Sequence, residues 1–107
     1  GRELTIYALA RLARGDAVAA VDAWSGKLEA FSEADQAYVW AMLGFRGAQD
    51  HEAHALTWFR QAGSATLTEE QAAWKVRAAL RVQDWHEALL AIADRFDLDG
   101  RGLQSRR

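Results

Sequence analysis

A period of 34 residues is the feature that most constrains how this chain can fold. Asp16, Asp50 and Asp84 are spaced at this interval. A large apolar side chain lies ten residues before each aspartate, and another lies eight residues after it. These six anchors are Ile6, Trp40, Trp74, Trp24, Trp58 and Ile92. A short amphipathic helix pair cannot bury its apolar face alone, so repeated pairs must stack. The sequence therefore predicts three helical hairpins in register.

Composition favours helix throughout the chain. None of the 107 residues is proline, and about a fifth are alanine, the best intrinsic helix former. A 34-residue helix-turn-helix unit has the length of a tetratricopeptide repeat. We therefore predict an all-α fold of six helices, arranged as a right-handed α-α superhelix of tetratricopeptide-like geometry. The glycine-tyrosine and proline positions of the tetratricopeptide consensus are absent, so the prediction concerns geometry only.

Helix bounds are predicted from capping side chains and glycines. Helix one should span residues 3–13 and end at a left-handed Gly15, helix two should stop near Ser25, and helix three should span residues 33–48. We expect a close approach by a neighbouring helix at Gly44, and a turn at Gly47. Helix six should end near Phe96. The predicted N-caps are Asp16, Ser32, Asp50, Thr68 with Gln71 as a capping box, and Asp84.

Apolar residues at steps of three and four predict which face of each helix is buried. On the first hairpin these faces are Ile6, Leu9, Ala10 and Ala13, then Val18, Val21, Trp24 and Leu28. On helix four the face is Ala55, Trp58, Phe59 and Ala62. On the third hairpin the faces are Ala72, Val76, Ala79 and Val82, then Trp85, Leu89, Ile92 and Phe96. Residues 1–96 thus form the predicted repeat region, and the charged, glycine-containing residues 97–107 form a predicted flexible tail.

Charge and composition argue against several classes of partner. Thirteen Lys and Arg oppose fifteen Asp and Glu, so the formal net charge is −2. The basic residues are dispersed apart from Arg101, Arg106 and Arg107, and we expect no nucleic-acid partner. The chain has no cysteine for disulfides and no apolar run of the roughly 20 residues that a membrane span needs. It shows no signal-peptide pattern, but it begins with Gly1-Arg2 and could be a piece of a longer protein.

The histidines and a pair of glutamates resemble functional motifs only in part. His51 and His54 are three residues apart, whereas a zinc-binding histidine pair on a helix needs four, and His86 belongs to another hairpin. Glu69 and Glu70 are adjacent, so their side chains diverge on a helix.

The stretch from Asp97 to Gly100 resembles part of a calcium loop. Its first and twelfth ligand positions are Arg95 and Arg106, where a calcium site needs oxygen ligands. We therefore predict no catalytic residue, no metal site and no cofactor, and we assign no contact residues.

The five tryptophans admit two interpretations. Four lie on helical stripes or repeat anchors, where burial in the core is the default role. Exposed tryptophan rings also stack on sugars, so a carbohydrate contact is the alternative. Trp85, directly after a turn, is the least committed to the core.

Residues 67–95 resemble the superhelical region of bacterial soluble lytic murein transglycosylases. The family has a Thr-x-Glu linker, a helix with Trp and Arg-x-Ala-Leu, and an Asp-Trp turn. The matching positions are Thr68, Glu69, Glu70, Trp74, Arg77, Ala78, Leu80, Asp84 and Trp85. A weaker resemblance extends back through residues 36–40 to residues 8–16. The resemblance implies a periplasmic parent enzyme that cleaves the β-1,4 bond between N-acetylmuramic acid and N-acetylglucosamine.

The catalytic motifs of that family are absent from this chain. No glutamate precedes a serine, and the Gly-Leu-Met-Gln and Asn-Ala-Gly-Pro stretches are missing. The resemblance therefore implies a non-catalytic scaffold segment. Its expected partners are the rest of the parent enzyme, including the catalytic domain, and peptidoglycan strands. The alternative is a free-standing adaptor that binds a peptide in the groove lined by its first helices. An exposed repeat flank would also favour self-association.

Overall fold

The structure, a computed structural model, describes residues 1–63, 65–83 and 85–95. It confirms the all-α prediction, because this part of the chain contains six α-helices and no strand. A short 3₁₀ turn, Leu28–Ala30, follows the second helix. The helices are α1 (Arg2–Gly15), α2 (Ala17–Ser25), α3 (Glu33–Gln49), α4 (Ala55–Gln61), α5 (Glu69–Arg81) and α6 (Trp85–Arg95).

The helices pack as three hairpins: α1 with α2, α3 with α4, and α5 with α6. Helix α3 also contacts α1 and α2 of the first hairpin and α5 of the third, and α4 contacts α5. The second hairpin therefore lies between the other two, as expected for stacked repeats. The right-handed sense of the superhelix stays a prediction.

The core consists of two clusters that meet at α4. Trp58 belongs to the first cluster and its neighbour Phe59 to the second. The first joins the first two hairpins through Leu9, Ala13, Ala17, Ala20, Trp24, Val39, Trp40, Ala41, Leu43, Trp58 and Ala62. The second joins α3 and α4 to α5 through Ala48, Ala55, Leu56, Phe59, Ala78 and Ala79. Full burial of one large apolar side chain contributes about 1.5–3 kcal/mol, so both clusters stabilise the stack substantially.

Trp24 is the largest fully buried side chain. Its ring packs edge-on against Phe31 and Trp40, with centroid distances of 5.1 and 6.5 Å. The buried indole N–H has no hydrogen-bond partner in the part of the chain that the structure describes. Such a donor costs stability, so aromatic packing must more than offset it.

Two glycines allow α4 to approach α3 closely. A Cβ atom on Gly44 would lie 2.8 Å from Cγ of Phe59, which confirms the close approach predicted there. The prediction of a turn at Gly47 is wrong, since this residue is buried inside α3. A Cβ on Gly47 would lie 2.5 Å from the ring of Trp58. Both glycines therefore serve packing.

Three of the five predicted N-caps are confirmed. Asp16 accepts a hydrogen bond from Ala19, Ser32 accepts one from Asp35, and Thr68 and Gln71 form the expected capping box. Asp84 and Phe96 lie outside the described residues, as does the predicted tail, residues 97–107.

Asp50 is not the N-cap of α4, which contradicts the prediction. It ends α3, and the chain turns at His51, whose φ is +59°. The amide of Glu52 donates to the carbonyl of Gly47 (2.8 Å), and the amide of His51 donates to Ala48 (3.0 Å). This is a Schellman motif, which satisfies the last carbonyls of α3 and delays α4 until Ala55.

Three predictions about which face points inward are also wrong. Val18, Val82 and Leu89 are exposed. Helix α2 buries Ala17, Ala20 and Trp24, so of its predicted face Trp24 is buried and Val18 is not, and α6 buries Ala91 next to the predicted Ile92. Gly15 is the last residue of α1 and is not left-handed. The predicted face of α4, by contrast, is confirmed, since all four of its residues are buried.

Replacing Gly44 by alanine should destabilise the fold. The new methyl group would overlap the buried Phe59 ring, and such overpacking costs about 1–3 kcal/mol, more than the gain in helix propensity of about 1 kcal/mol. Urea unfolding followed by circular dichroism would measure the loss. Gly15→Ala is the matched control, because a Cβ at Gly15 has nothing within 4 Å. Equal effects of the two substitutions would contradict the close packing described.

Candidate functional site

The histidines and acidic residues do not assemble into a metal-binding group anywhere in the described residues. His51, His54 and His86 are all exposed. Nδ1 of His54 lies 3.6 Å from a carboxylate oxygen of Glu52, a contact that carries charge only when the imidazole is protonated. The hollows between the helices are therefore the candidate binding surfaces.

A concave surface lies on α1, α3 and α5, the first helices of the three hairpins. One hollow, of about 620 Å³, opens between α3 and the start of α5. Alanines 34, 37 and 41 of α3 form one wall, and polar residues of the linker and α5 form the other. The full lining is Glu33, Ala34, Ala37, Tyr38, Ala41, Ala65, Thr66, Thr68 and Gln71. We call this the α3–α5 hollow.

A second hollow, of about 370 Å³, opens between α1 and α3. Its lining is Arg2, Glu3, Ile6, Asp35 and Tyr38. Tyr38 thus lines both hollows and is 59% exposed, although it belongs to the most heavily buried helix. We refer to the two hollows and the Tyr38 ridge between them as the first-helix groove.

An ion pair links α1 to α3 at one end of the first-helix groove. Nε of Arg2 donates to Oδ2 of Asp35 at 2.6 Å. This hydrogen bond is the main cause that lowers the pKa of Asp35 below its ordinary value. Partial burial opposes the shift, and the charge of Arg2 and the Ser32 hydroxyl add to it. The same contact raises the pKa of Arg2. The guanidinium of Arg2, the cation among the groove residues, is therefore already paired with Asp35.

The remaining charges of the first-helix groove are negative. The side chain of Glu3 is 94% exposed and one of its carboxylate oxygens lies 3.9 Å from Nη1 of Arg2, while Glu33 is exposed at the start of α3. Three carboxylates line the two hollows (those of Glu3, Glu33 and Asp35), against one guanidinium. Glu69 and Glu70 add two further exposed carboxylates directly after Thr68. The groove is thus an acidic surface with an aromatic ridge.

A third hollow lies on the second helices, between α4 and the α5–α6 corner. Leu56, Arg60, Val82 and His86 are among its lining residues. Nε of Arg60 donates to Oε1 of Glu87 at 3.2 Å and so ties α4 to α6. This hollow is more open than the other two, and an ion pair between α4 and α6 holds its sides together. We therefore interpret it as a packing boundary between two hairpins.

Three of the five tryptophans lie in the core, as the structural interpretation expected. Trp24, Trp40 and Trp58 are buried, while the side chain of Trp85 lies outside the described residues. Trp74 is partly buried, and the guanidinium of Arg77 lies 4.4 Å from its ring centroid. Most of the indole surface is therefore unavailable to a sugar.

The groove residues were not assigned from sequence. The signal was present in the spacing of Ala34, Ala37 and Ala41, which repeats at three and four residues and marks a face too small to fill the space beside it. Tyr38 adjoins that face, but a tyrosine on an aromatic helix is ordinarily assigned to the core.

Comparisons with known proteins give no further guide. No protein-family model matches the chain, and neither curated proteins nor solved structures give a significant match. None of the helices in the described part of the chain is long and apolar enough to cross a membrane. The kinship with lytic transglycosylases therefore stays a prediction.

The pKa of Asp35 should rise when Arg2 is replaced by glutamine, because the main cause that lowers it is removed. A depressed carboxyl pKa means that the ion pair stabilises the fold above about pH 3.9, the ordinary value, and that this contribution is lost as pH falls through the native pKa. Carbon-13 NMR titration of the carboxyl group measures the shift directly. Arg14→Gln, at the other end of α1, should leave the pKa of Asp35 unchanged. An unaltered pKa in the Arg2 variant would contradict the pairing.

Proposed function

We propose that this chain is a non-catalytic scaffold segment of a bacterial soluble lytic murein transglycosylase. In that role the hairpins form part of a longer superhelix that supports the catalytic domain of the parent enzyme. The parent would act in the periplasm on the bond between N-acetylmuramic acid and N-acetylglucosamine. The resemblance of residues 67–95 supports the choice of parent, and the stacking of the hairpins supports the scaffold role.

The observation that carries the proposal is the apolar surface of the third hairpin. Leu80 of α5 is exposed, and Leu89 and Leu90 of α6 are 67% and 52% exposed. Leu56 of α4 is buried because the third hairpin adjoins α4. In stacked repeats each hairpin buries its apolar surface against the next. A further structural element would cover the leucines of α6 in the same way.

The motif behind the resemblance has a packing role in this fold. Trp74 and Arg77 stack on one another within α5, and Ala78 is buried in the second cluster. The capping box of Thr68 and Gln71 starts the same helix. These residues hold α5 in place against α3 and α4, which suits a scaffold and requires no reaction chemistry.

Replacing both Leu89 and Leu90 by glutamate should destabilise the parent protein more than the isolated chain. Exposed substitutions change the free energy of unfolding by about 0.5 kcal/mol or less, so at concentrations where the isolated chain is monomeric the double variant should unfold almost like the wild type. In the full reading frame, where the leucines would be covered, the loss should reach about 2–5 kcal/mol. Thermal and urea unfolding of both proteins measure this difference. Equal losses in the two contexts would contradict the proposed coverage.

The activity of the parent gives a second test. The isolated chain should leave the turbidity of murein sacculi unchanged, whereas the full-length protein should clear them and release 1,6-anhydro products. Clearance by the isolated chain would contradict the scaffold role. A full reading frame without the Glu-Ser and Gly-Leu-Met-Gln motifs would contradict the choice of parent.

The isolated chain should also self-associate through the exposed leucines. Apolar side chains left in water favour association, because contact removes their surface from water. Sedimentation equilibrium should show dimers or larger species that dissociate in the Leu89→Glu, Leu90→Glu variant. A wild-type chain that remains monomeric at high concentration would show that this surface needs no cover.

A second candidate function is an adaptor that binds a peptide. The first-helix groove, with its two hollows on either side of an exposed tyrosine, favours this candidate specifically. A pull-down that returns one saturable peptide partner would support the adaptor, and it is compatible with a scaffold that has an additional binding surface.

A further inference from the structure

The first-helix groove has the dimensions and the lining of a peptide-binding surface. Its larger hollow, of about 620 Å³, falls within the range of ligand pockets. Alanines on α3 and Ala65 of the linker leave room for a side chain of the partner. Tyr38, 59% exposed, would offer a large apolar face at low entropic cost. Two hollows on either side of one ridge suit two successive side chains of an extended segment.

The charge of the groove selects the chemistry of the partner. Glu33 carries an exposed carboxylate, and Glu3 is 94% exposed although it lies 3.9 Å from the guanidinium of Arg2, which Asp35 holds at 2.6 Å. Glu33 and Asp35 lie in the first turn of α3, where negative charge also favours the helix dipole. Their interaction with the helix dipole does not remove these carboxylates from the surface. The groove therefore attracts cations and repels anions.

We infer that the first-helix groove binds a cationic peptide segment that places one apolar side chain against Tyr38 and Lys or Arg side chains near Glu3 and Glu33. The inference rests on the adaptor candidate and is independent of the scaffold proposal. A neutral sugar chain suits the surface less well, since it offers no positive charge to the carboxylates of the groove. The partner therefore differs in class from the substrate of the proposed parent enzyme.

Peptide titration monitored by NMR tests the inference on the whole chain. The probe is the heptapeptide Gly-Arg-Arg-Leu-Arg-Arg-Gly, added to nitrogen-15-labelled protein at low ionic strength. We expect saturable amide shifts in residues 2–6, 33–41 and 65–71, and weakening as salt screens the charges. A peptide with glutamates in place of the arginines should give no saturable shifts, and a peptide with serine in place of leucine should bind more weakly.

Matched variants assign the effect to individual side chains. Glu33→Gln should weaken binding about two- to fivefold, the range expected for one exposed ion pair, while Glu29→Gln should not change it. Tyr38→Ala should weaken binding at least about fivefold, while Tyr7→Ala, at an equally exposed tyrosine of α1, should leave the affinity unchanged. Circular dichroism of each variant verifies that the helices remain intact.

Four outcomes would overturn the inference. Equal binding of the acidic and basic peptides would leave the adaptor possible but would refute the charge selection. Shifts confined to Leu89, Leu90 and their neighbours would place the binding surface on the third hairpin. Saturable binding of a tetramer of N-acetylglucosamine at Tyr38, without peptide binding, would make the groove a glycan site. Saturable binding of the basic peptide that Tyr38→Ala and Glu33→Gln leave unchanged would place the binding surface outside the first-helix groove.

Discussion

The close approach of α4 to α3 is the contact on which the rest of the structure depends. Gly44 and Gly47 remove the side chains that would keep the helices apart, and the rings of Phe59 and Trp58 lie against their backbone. Because Trp58 belongs to the first cluster and Phe59 to the second, this single contact connects both cores. Helix α3 contacts both neighbouring hairpins directly, so this contact fixes α4 to the helix that supports them.

The groove is a consequence of the same arrangement. Helix α3 lies between α1 and α5, so its first half faces a hollow on each side. Its buried residues pack in the two core clusters, and Tyr38 and a row of alanines line the concave surface. The ion pair between Arg2 and Asp35 then fixes the edge of α1 against α3. The chain thus separates its stabilising surface from the surface available to partners, which suits a scaffold and a peptide-binding module alike.

Sequence reasoning was most successful where local rules decide the outcome. The helical class, the caps at Asp16, Ser32 and Thr68, and the face of α4 follow from hydrogen-bonding side chains and apolar spacing. It failed at Asp50, where a Schellman motif with a left-handed histidine replaced the expected N-cap. The exposure of Leu89 was missed because helical spacing marks an apolar residue without showing which side of the helix a neighbouring hairpin covers. A groove lined by the first helices was given as an alternative, but its residues were not assigned, because they depend on how neighbouring helices meet, which the 34-residue period does not specify.

Native-state hydrogen exchange of the backbone amides tests the central role of α3 most directly. If the packing of α4 on α3 supports both cores, the amides of Val39, Leu43 and Gly47 should exchange most slowly, through global unfolding. Those of α6 should exchange faster, through local opening of the last hairpin. Slowest exchange in α6, or in α1 and α2 while α3 opens, would contradict the account.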